Sequence, residues 1–227
     1  TETYRRCEET KEIPTLKILR MIMLEQPERQ AKSLALKLEL FTEGNLNIFA
    51  QPTNVERTNR ITSFDIRKMQ KQLKKFGLSV ITDTMINRVN RNWQMGRRTH
   101  LFYDEIHVIF ENETAAEFLD CAWRQFRKRD AYSTGITQNV RYLLNSEKGS
   151  TMLSNSELVI MLNQSYQDRE QLGELLNISS EQMNYITNAK EGCGLIRYGG
   201  AVVPFINSFP KNTKLYRLMT TKPKDND

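Results

Sequence analysis

The stretch RRTHLFYDEIHVIF, residues 97–110, decides the fold. Its centre, THLFYDEIHVIF, is apolar and β-favouring on both sides of two adjacent acids, Asp104 and Glu105. It reads as a strand. Two carboxylates in an apolar strand are costly unless a cation or hydrogen-bond donors satisfy them. The plain alternative is that the strand runs out to solvent at Asp104. Ile106, Val108, Ile109 and Phe110 continue the apolar run and make that exit less comfortable.

Downstream, NETAAEFLDCAWRQFRKRD (112–130) reads as a helix capped by Asn112, with Ala115, Phe118, Leu119, Ala122 and Phe126 as its apolar stripe. AYSTGITQN (131–139) is a short strand ending in polar residues. VRYLLN (140–145) starts another helix, and GSTMLSNSE is loop or short helix. LVIML (158–162) is a continuous apolar run of the kind buried on both faces of a sheet. DREQLGELLN (168–177) is helical, and SSEQ (179–182) has the capping-box pattern. CGLIRYG (193–199) and AVVPFIN (201–207) form a hairpin about Gly199-Gly200, and TKLYRLMT (213–220) is a last strand before a loose TKPKDND.

Upstream, LSVITDTMINRVNRNWQ (78–94) reads as a helix with Met85, Val89 and Trp93 on one face. ITSFDI (61–66) and LNIFA (46–50) are strand candidates, and PTNVERTNR (52–60) is a loop. Residues 14–43 are helical from Pro14-Thr15, broken at Pro27 and stopped at Gly44. Strands alternate with helices from about residue 61 to 177, which calls for a parallel, helix-covered α/β sheet. Residues 1–60 are mainly helical.

Composition bounds the function. At about 150 residues per domain, 227 residues make one large domain or one and a half. Hydrophobic residues at 39% and charged residues at 26% exclude a long disordered tail or a low-complexity chain. Only 10 glycines and 6 prolines argue for helices and against an all-β sandwich. Cys7, Cys121 and Cys193 are odd in number and far apart, so a disulfide scaffold is excluded and a reducing compartment fits. His100 and His107 cannot build a His-rich metal site. No apolar run approaches the ~18 residues of a membrane span. The N-terminus has neither a signal segment nor an initiator methionine, so the chain is expected to begin within a longer protein. A net charge of +6 permits contact with nucleic acid, anionic lipid or nucleotide without establishing any.

An apolar strand ending in Asp-Glu is the Walker B pattern. The first carboxylate, held by the sheet, orients Mg²⁺ through water, and the second polarises the attacking water. Thr137-Gln138-Asn139 ends the next strand. In a parallel sheet both strand ends lie on one rim, so Asp104-Glu105 and Thr137-Gln138 face one crevice, although a polar turn also explains Thr-Gln-Asn. Arg124, Arg127, Lys128 and Arg129 close the intervening helix. They suit its dipole, or reach a nucleotide on a neighbouring subunit. RKMQKQLKK (67–75) is a solvated basic face or a DNA or phosphate contact. His107 has no Ser or Cys partner at a recognisable motif and reads as structural, as Trp93 and Trp123 read as core. The phosphate-gripping pattern G-x-x-x-x-G-K-[ST] does not occur, nor does any Gly-Lys pair. The chain carries residues for hydrolysis without a cradle for phosphate.

These motifs also carry a resemblance. YDEIH, then FRKRDAYSTGITQNVRYLL, then MLSNSELVIMLNQSYQDREQLGELLNISSEQMNYI, then GCGLIRYGGAVVPF and PKNTKLYRLMTTKP, with TNVERTNRITSFDIRKM upstream, resemble the VirB/TraE-type ATPase of conjugative type IV secretion systems. The form is that of Gram-positive conjugative elements, within the HerA/FtsK-like group of RecA-fold motors. The resemblance covers the chain from about Pro14. It implies an α/β, RecA-like P-loop NTPase core with a mostly parallel sheet flanked by helices, incomplete at its N-terminal side. Residues 1–60 would belong to the family's all-α insertion, and 61–227 would be the C-terminal part of the ATPase domain with its β-hairpin.

The resemblance further implies a bacterial motor on the cytoplasmic side, peripheral at the inner face of the cell membrane. It would hydrolyse ATP for pilus biogenesis or for DNA or protein transfer. Asp104 would hold Mg²⁺ through water, Glu105 would activate water, and Gln138, beside Thr137, would sense the γ-phosphate. Arg127 with Lys128 would act on a neighbour's nucleotide, with Arg124 and Arg169 as competitors. Asn155 in LSNS would sit in another nucleotide-side motif. The complete protein would bind Mg²⁺ and ATP as a homo-oligomer, a hexamer in many relatives, alongside other secretion components. The family's phosphate loop lies upstream of its helical insertion, so the expectation is a C-terminal fragment that binds no nucleotide alone. The alternatives are a DNA- or partner-binding module without catalysis, for which 67–75 is the candidate surface, and a HerA/FtsK-like DNA translocase.

Overall fold

The computed structural model describes residues 2–44, 46–52, 59–111, 113–187 and 189–220. The chain divides into two compact units, Thr1–Lys74 and Lys75–Asp227.

The first unit is helical. It contains α1 (Glu2–Thr10), α2 (Leu16–Glu25) and α3 (Arg29–Thr42). The Thr15 hydroxyl caps α2 by accepting the Ile18 N–H at 3.4 Å. Gln26, the residue before Pro27, has φ −70° and ψ 142°. Proline's ring disfavours helix at the preceding residue, so the break falls where expected. α2 and α3 form a hairpin that buries Ile22 and Ala35. Arg20 ties it by donating to the Ala35 carbonyl at 3.2 Å and pairing with Glu39 at 3.2 Å. LNIFA is not a strand. Asn47–Ala50 is a 3₁₀ turn that buries Leu46 and Ala50, the usual ambiguity of a short apolar run. ITSFDI carries no regular structure, and Ile61 is exposed: a β-favouring run forms no strand without a ladder to join. The expected loop at 52–60 falls largely outside the described residues.

α4 (Lys71–Gln94) leads from the basic run toward the first strand. Val89 is buried and Met85 packs on the same core, but Trp93 is exposed. β1 (Thr99–Tyr103) is shorter than the 97–110 run. After a turn at Asp104-Glu105 the remaining apolar residues coil into a 3₁₀ helix, Ile106–Glu111. α5 (Glu113–Gln125) follows, and its expected cap, Asn112, lies outside the described residues. A 3₁₀ turn, Phe126–Arg129, leads into β2 (Ala131–Gly135). β2 pairs parallel with β1, Thr99 opposite Ala131 and Tyr103 opposite Gly135. The expected stripe of α5 packs on this pair: Phe118, Leu119, Ala122 and Phe126 join Leu101, Tyr103 and Ala131 in one core.

The chain continues through α6 (Val140–Leu144), α7 (Glu147–Ser154), β3 (Leu158–Met161), α8 (Tyr166–Leu176) and α9 (Ser180–Met183). The capping box at α9 forms as read: Ser179 accepts the Gln182 N–H, and the Gln182 side chain accepts the Ser179 N–H. β4 (Cys193–Tyr198) and β5 (Ala201–Ile206) make the expected hairpin, with Gly199 at φ +56° in the turn. β3 joins β4 antiparallel, giving a three-stranded sheet in the order β3-β4-β5. TKLYRLMT is not a strand but α10 (Lys214–Met219), capped by Thr213, which accepts the Tyr216 N–H at 3.2 Å. Residues 221–227 lie outside the described set.

Double burial of LVIML does not hold. Met161 is buried, while Leu158 and Ile160 are 54% and 57% exposed. The parallel pair is likewise covered on one face: Phe102 is 67% and Tyr132 44% exposed on the other. Parallel strands are ordinarily covered on both faces.

The glycines at 192–200 serve this second sheet. A Cβ on Gly194 would run into the Met161 carbonyl across the β3–β4 ladder, whereas one on Gly200 would meet open space. We therefore expect Gly194→Ala to lower stability by about 1–3 kcal/mol in urea unfolding, with Gly200→Ala near neutral. Equal midpoints for the two variants would contradict the packing described.

Candidate functional site

The parallel ladder runs past the last strand residues. The Ile136 N–H donates to the Tyr103 carbonyl at 2.9 Å, and the Ile106 N–H donates to the Ile136 carbonyl at 2.9 Å. Ile136 is thus bonded on both sides of the Asp104-Glu105 dipeptide, which turns out of the ladder between them. This turn brings Asp104-Glu105 beside Thr137-Gln138 on one rim.

Glu105 occupies the left-handed region, at φ +48°. A side chain with a Cβ is strained there by roughly 1–2 kcal/mol. The conformation is held by the Val108 N–H, which donates to the Glu105 carbonyl at 2.9 Å, and by Asp104 Oδ1, which accepts the Glu105 N–H at 3.1 Å. The Glu105 carboxylate turns toward β2. Its Oε2 accepts the Gln138 N–H at 3.4 Å and lies 3.3 Å from His107 Nδ1. His107 Nδ1 is also 3.0 Å from Thr137 Oγ1, which accepts the Asn139 N–H at 3.0 Å. The Tyr142 ring flanks the imidazole, with centroids 5.8 Å apart. Asp104 and the Gln138 side chain are exposed at the rim.

His107 therefore belongs to the cluster that its sequence reading left out. No Ser or Cys partner marks it in the sequence. The available signal was D-E-x-H spacing, once the residues after Glu105 are taken as a tight 3₁₀ turn instead of more strand.

The basic residues lie elsewhere. The Thr99 N–H donates to the Asp130 carbonyl at 3.1 Å, so the Phe126–Arg129 turn sits at the opposite end of the strand pair. Arg127 and Lys128 are exposed there, one five-residue strand from Glu105, roughly 16 Å. Within one chain they do not meet the carboxylates. Arg124 pairs with Asp120 at 2.5 Å, Arg129 donates to Asn90 at 2.7 Å, and Arg169 donates to the Thr187 hydroxyl. Asn155 is the C-terminal cap of α7, and among the described residues no hydrogen bond joins it to Asp104 or Glu105. In the 67–75 run, Arg67 pairs with Asp65 at 2.8 Å, and its hydrogen bonds hold the Asp65 carboxyl down at about 2.

Among the described residues no group of three or more His, Cys, Asp and Glu side chains is placed to hold a metal by itself. Mg²⁺ does not require one. It keeps several waters and binds through one or two carboxylates plus phosphate oxygens, which an exposed Asp104 at a strand end fits. Among the described residues no helix is long and apolar enough to cross a membrane.

Beneath the rim, Tyr103 is 4% exposed. Neither its hydroxyl nor that of Ser133 finds a hydrogen-bond partner among the described residues. Burial pushes the Tyr103 phenol up to about 12, with the nearby Ser133 hydroxyl pulling slightly the other way. The folded state thus keeps a proton that the unfolded chain loses near the ordinary value of 10.0. This stability is complete below pH 10 and falls as pH rises toward 12, by about 2 kcal/mol. Alkaline unfolding of Tyr103→Phe should lack that component, and an unchanged alkaline limb would contradict the burial. At Glu105 the backbone makes a second expectation: Glu105→Gly should be more stable than Glu105→Ala by about 1 kcal/mol, the reverse of the usual order. Thermal unfolding of the pair checks the sign.

No protein-family model matches the chain, and no curated protein matches it. Among solved structures it is similar to VirB4 of Thermoanaerobacter pseudethanolicus, with a TM-score of 0.71 and 25% sequence identity over 88% of this chain and 56% of that one. The chain spans little more than half the length of that structure. Its mixed α/β architecture, with the parallel pair and its helices, matches part of a RecA-like VirB4 ATPase fold.

Proposed function

We propose that this chain is the water-activating part of a VirB4-like ATPase of a type IV secretion system, acting in conjugative transfer, with its phosphate grip supplied by a segment outside these 227 residues. The observation that carries the reading is the rim itself: Asp104-Glu105 beside Thr137-Gln138 at the carboxyl ends of two parallel strands, with Glu105 held in a strained backbone conformation. Strain of this kind collects where function requires it. The similarity to VirB4 is independent support for the same assignment. The bare face of the parallel pair β1–β2 supports a further covering segment.

In this reading Asp104, exposed at the end of β1, would be the residue that holds Mg²⁺. The ion, when bound with ATP, neutralises phosphate charge. Glu105 takes the proton of the attacking water, and the exposed Gln138 amide hydrogen-bonds that water and a phosphate oxygen. Thr137 fixes the wall of the site through His107. Arg127 and Lys128, at the far end of the strand pair, serve a neighbouring subunit's nucleotide in a homo-oligomer on the cytoplasmic side of the membrane. Asn155 completes the polar set on the nucleotide side.

Two measurements test this. Calorimetric titration of Mg-ATP into the 227-residue chain should show no binding, and micromolar binding would overturn the division of roles. In the polypeptide that also contains the phosphate-gripping loop, Glu105→Gln should lower turnover by about 10²–10⁴-fold while ATP binding persists. Turnover at the wild-type rate would remove Glu105 from the role of base.

A further inference from the structure

We propose that His107 is the positioning residue for Glu105, and that it acts through Nδ1. This rests on the reading of Glu105 as the base. An ionised carboxylate only accepts hydrogen bonds. The 3.3 Å approach of His107 Nδ1 to Glu105 Oε2 therefore makes a hydrogen bond only if Nδ1 carries the proton. The same proton faces Thr137 Oγ1 at 3.0 Å, and that oxygen already accepts the Asn139 N–H. The proposed tautomer is therefore Nδ1–H, with that proton facing both Glu105 and Thr137; in the opposite tautomer the Thr137 hydroxyl donates to Nδ1 and Glu105 receives nothing from the ring. Of the two neighbours of Nδ1, the carboxylate is purely an acceptor, so it is the Glu105 contact that favours the proton on Nδ1.

The consequence falls on the carboxylate. In that tautomer Oε2 accepts the Gln138 N–H at 3.4 Å and faces His107 Nδ1–H across 3.3 Å. Oε1 is left to take a proton from water. Without His107 only the longer backbone bond restrains a flexible side chain that is 39% exposed. The imidazole is well placed to restrain it, since its own side chain is 19% exposed and the Tyr142 ring lies against it. His107 also links the two strand ends, because Glu105 follows β1 and Thr137 follows β2. It is a base oriented by a third group, with the orienting group on the same turn as the base.

The test has two parts. The first uses the 227-residue chain and long-range ¹H–¹⁵N spectra at mildly alkaline pH, where an ordinary imidazole is neutral. The chain has 2 histidines, so assignment is direct. We expect His107 to show the Nδ1–H form and to lose it in Glu105→Ala, with His100 unchanged. An Nε2–H form in the wild type, or no response to the Glu105 change, would overturn the proposal.

The second part uses the polypeptide containing the phosphate-gripping loop. His107→Ala should lower kcat about ten- to a hundredfold with KM for ATP nearly constant. His107→Asn, whose amide falls near the Nδ1 position, should recover most of the loss. His107→Gln, whose amide falls near Nε2, should not. Equal recovery by Asn and Gln would reduce the ring to a space-filler and overturn the proposal. Wild-type turnover in His107→Ala beside a dead Glu105→Gln would also overturn it, leaving Glu105 as base. Full turnover in Glu105→Gln, or no hydrolysis by the wild type, would remove the underlying reading and this inference with it.

Discussion

The pairing of Ile136 with both Tyr103 and Ile106 is the constraint on which the site depends. A parallel ladder has evenly spaced bonds, and each residue of one strand commonly bonds two positions on the other. Here the two partners of Ile136 lie on either side of Asp104 and Glu105. Closing both bonds leaves the dipeptide no place in the strand. Its backbone turns outward, and Glu105 enters the left-handed region to let Ile106 return to the core. Ile106 is fully buried, so the outward turn is anchored by an apolar side chain immediately after it. Burial of Ile106 and exposure of Asp104 are two aspects of one backbone path.

Asp130 has nearly the same φ, +46°, at the other end of the strand pair, but its conformation has a different significance. It terminates a 3₁₀ turn, where left-handed residues are common and a short polar side chain tolerates them. Glutamate has no such tolerance. Position and residue type together, and not the angle alone, mark Glu105 as the place where local preference has yielded to something else.

Most of the architecture around the site was legible because its signals are local. The stripe of α5, the capping box at Ser179 and the hairpin at Gly199 each depend on residues within a few positions of one another. The rim was legible by one step more, from the rule that successive parallel strands end on the same side. What failed depended on partners. LNIFA, ITSFDI and TKLYRLMT favour strand by composition, yet a strand exists only where a ladder is available. LVIML found one on β4 but kept an exposed face. His107 failed for a related reason. Its neighbours Ile106 and Val108 read as strand, and in a strand His107 and Glu105 would share a face without approaching Thr137. Only the 3₁₀ coil brings the ring to the adjacent strand end.

The same geometry accounts for why such a site would need the rest of a larger fold. Electrostatic stabilisation of a developing charge is strong only where water is excluded. Glu105 is partly exposed, Asp104 more so, and the sheet beneath them is bare on one face. Of the glycines at 192–200, Gly194 is committed to the β3–β4 contact and Gly199 to the hairpin turn. The Gln138 N–H already holds the Glu105 carboxylate, and the His107 ring lies 3.3 Å from it, before any nucleotide is present. In the proposed reading, Glu105 is a proton acceptor prepared in advance but open to water, suited to being completed by a nucleotide held from outside. In the proposed motor, the segment that holds the nucleotide over the rim would supply the dry environment in which Glu105 and Asp104 act. Hydrolysis would then be coupled to assembly instead of running unchecked.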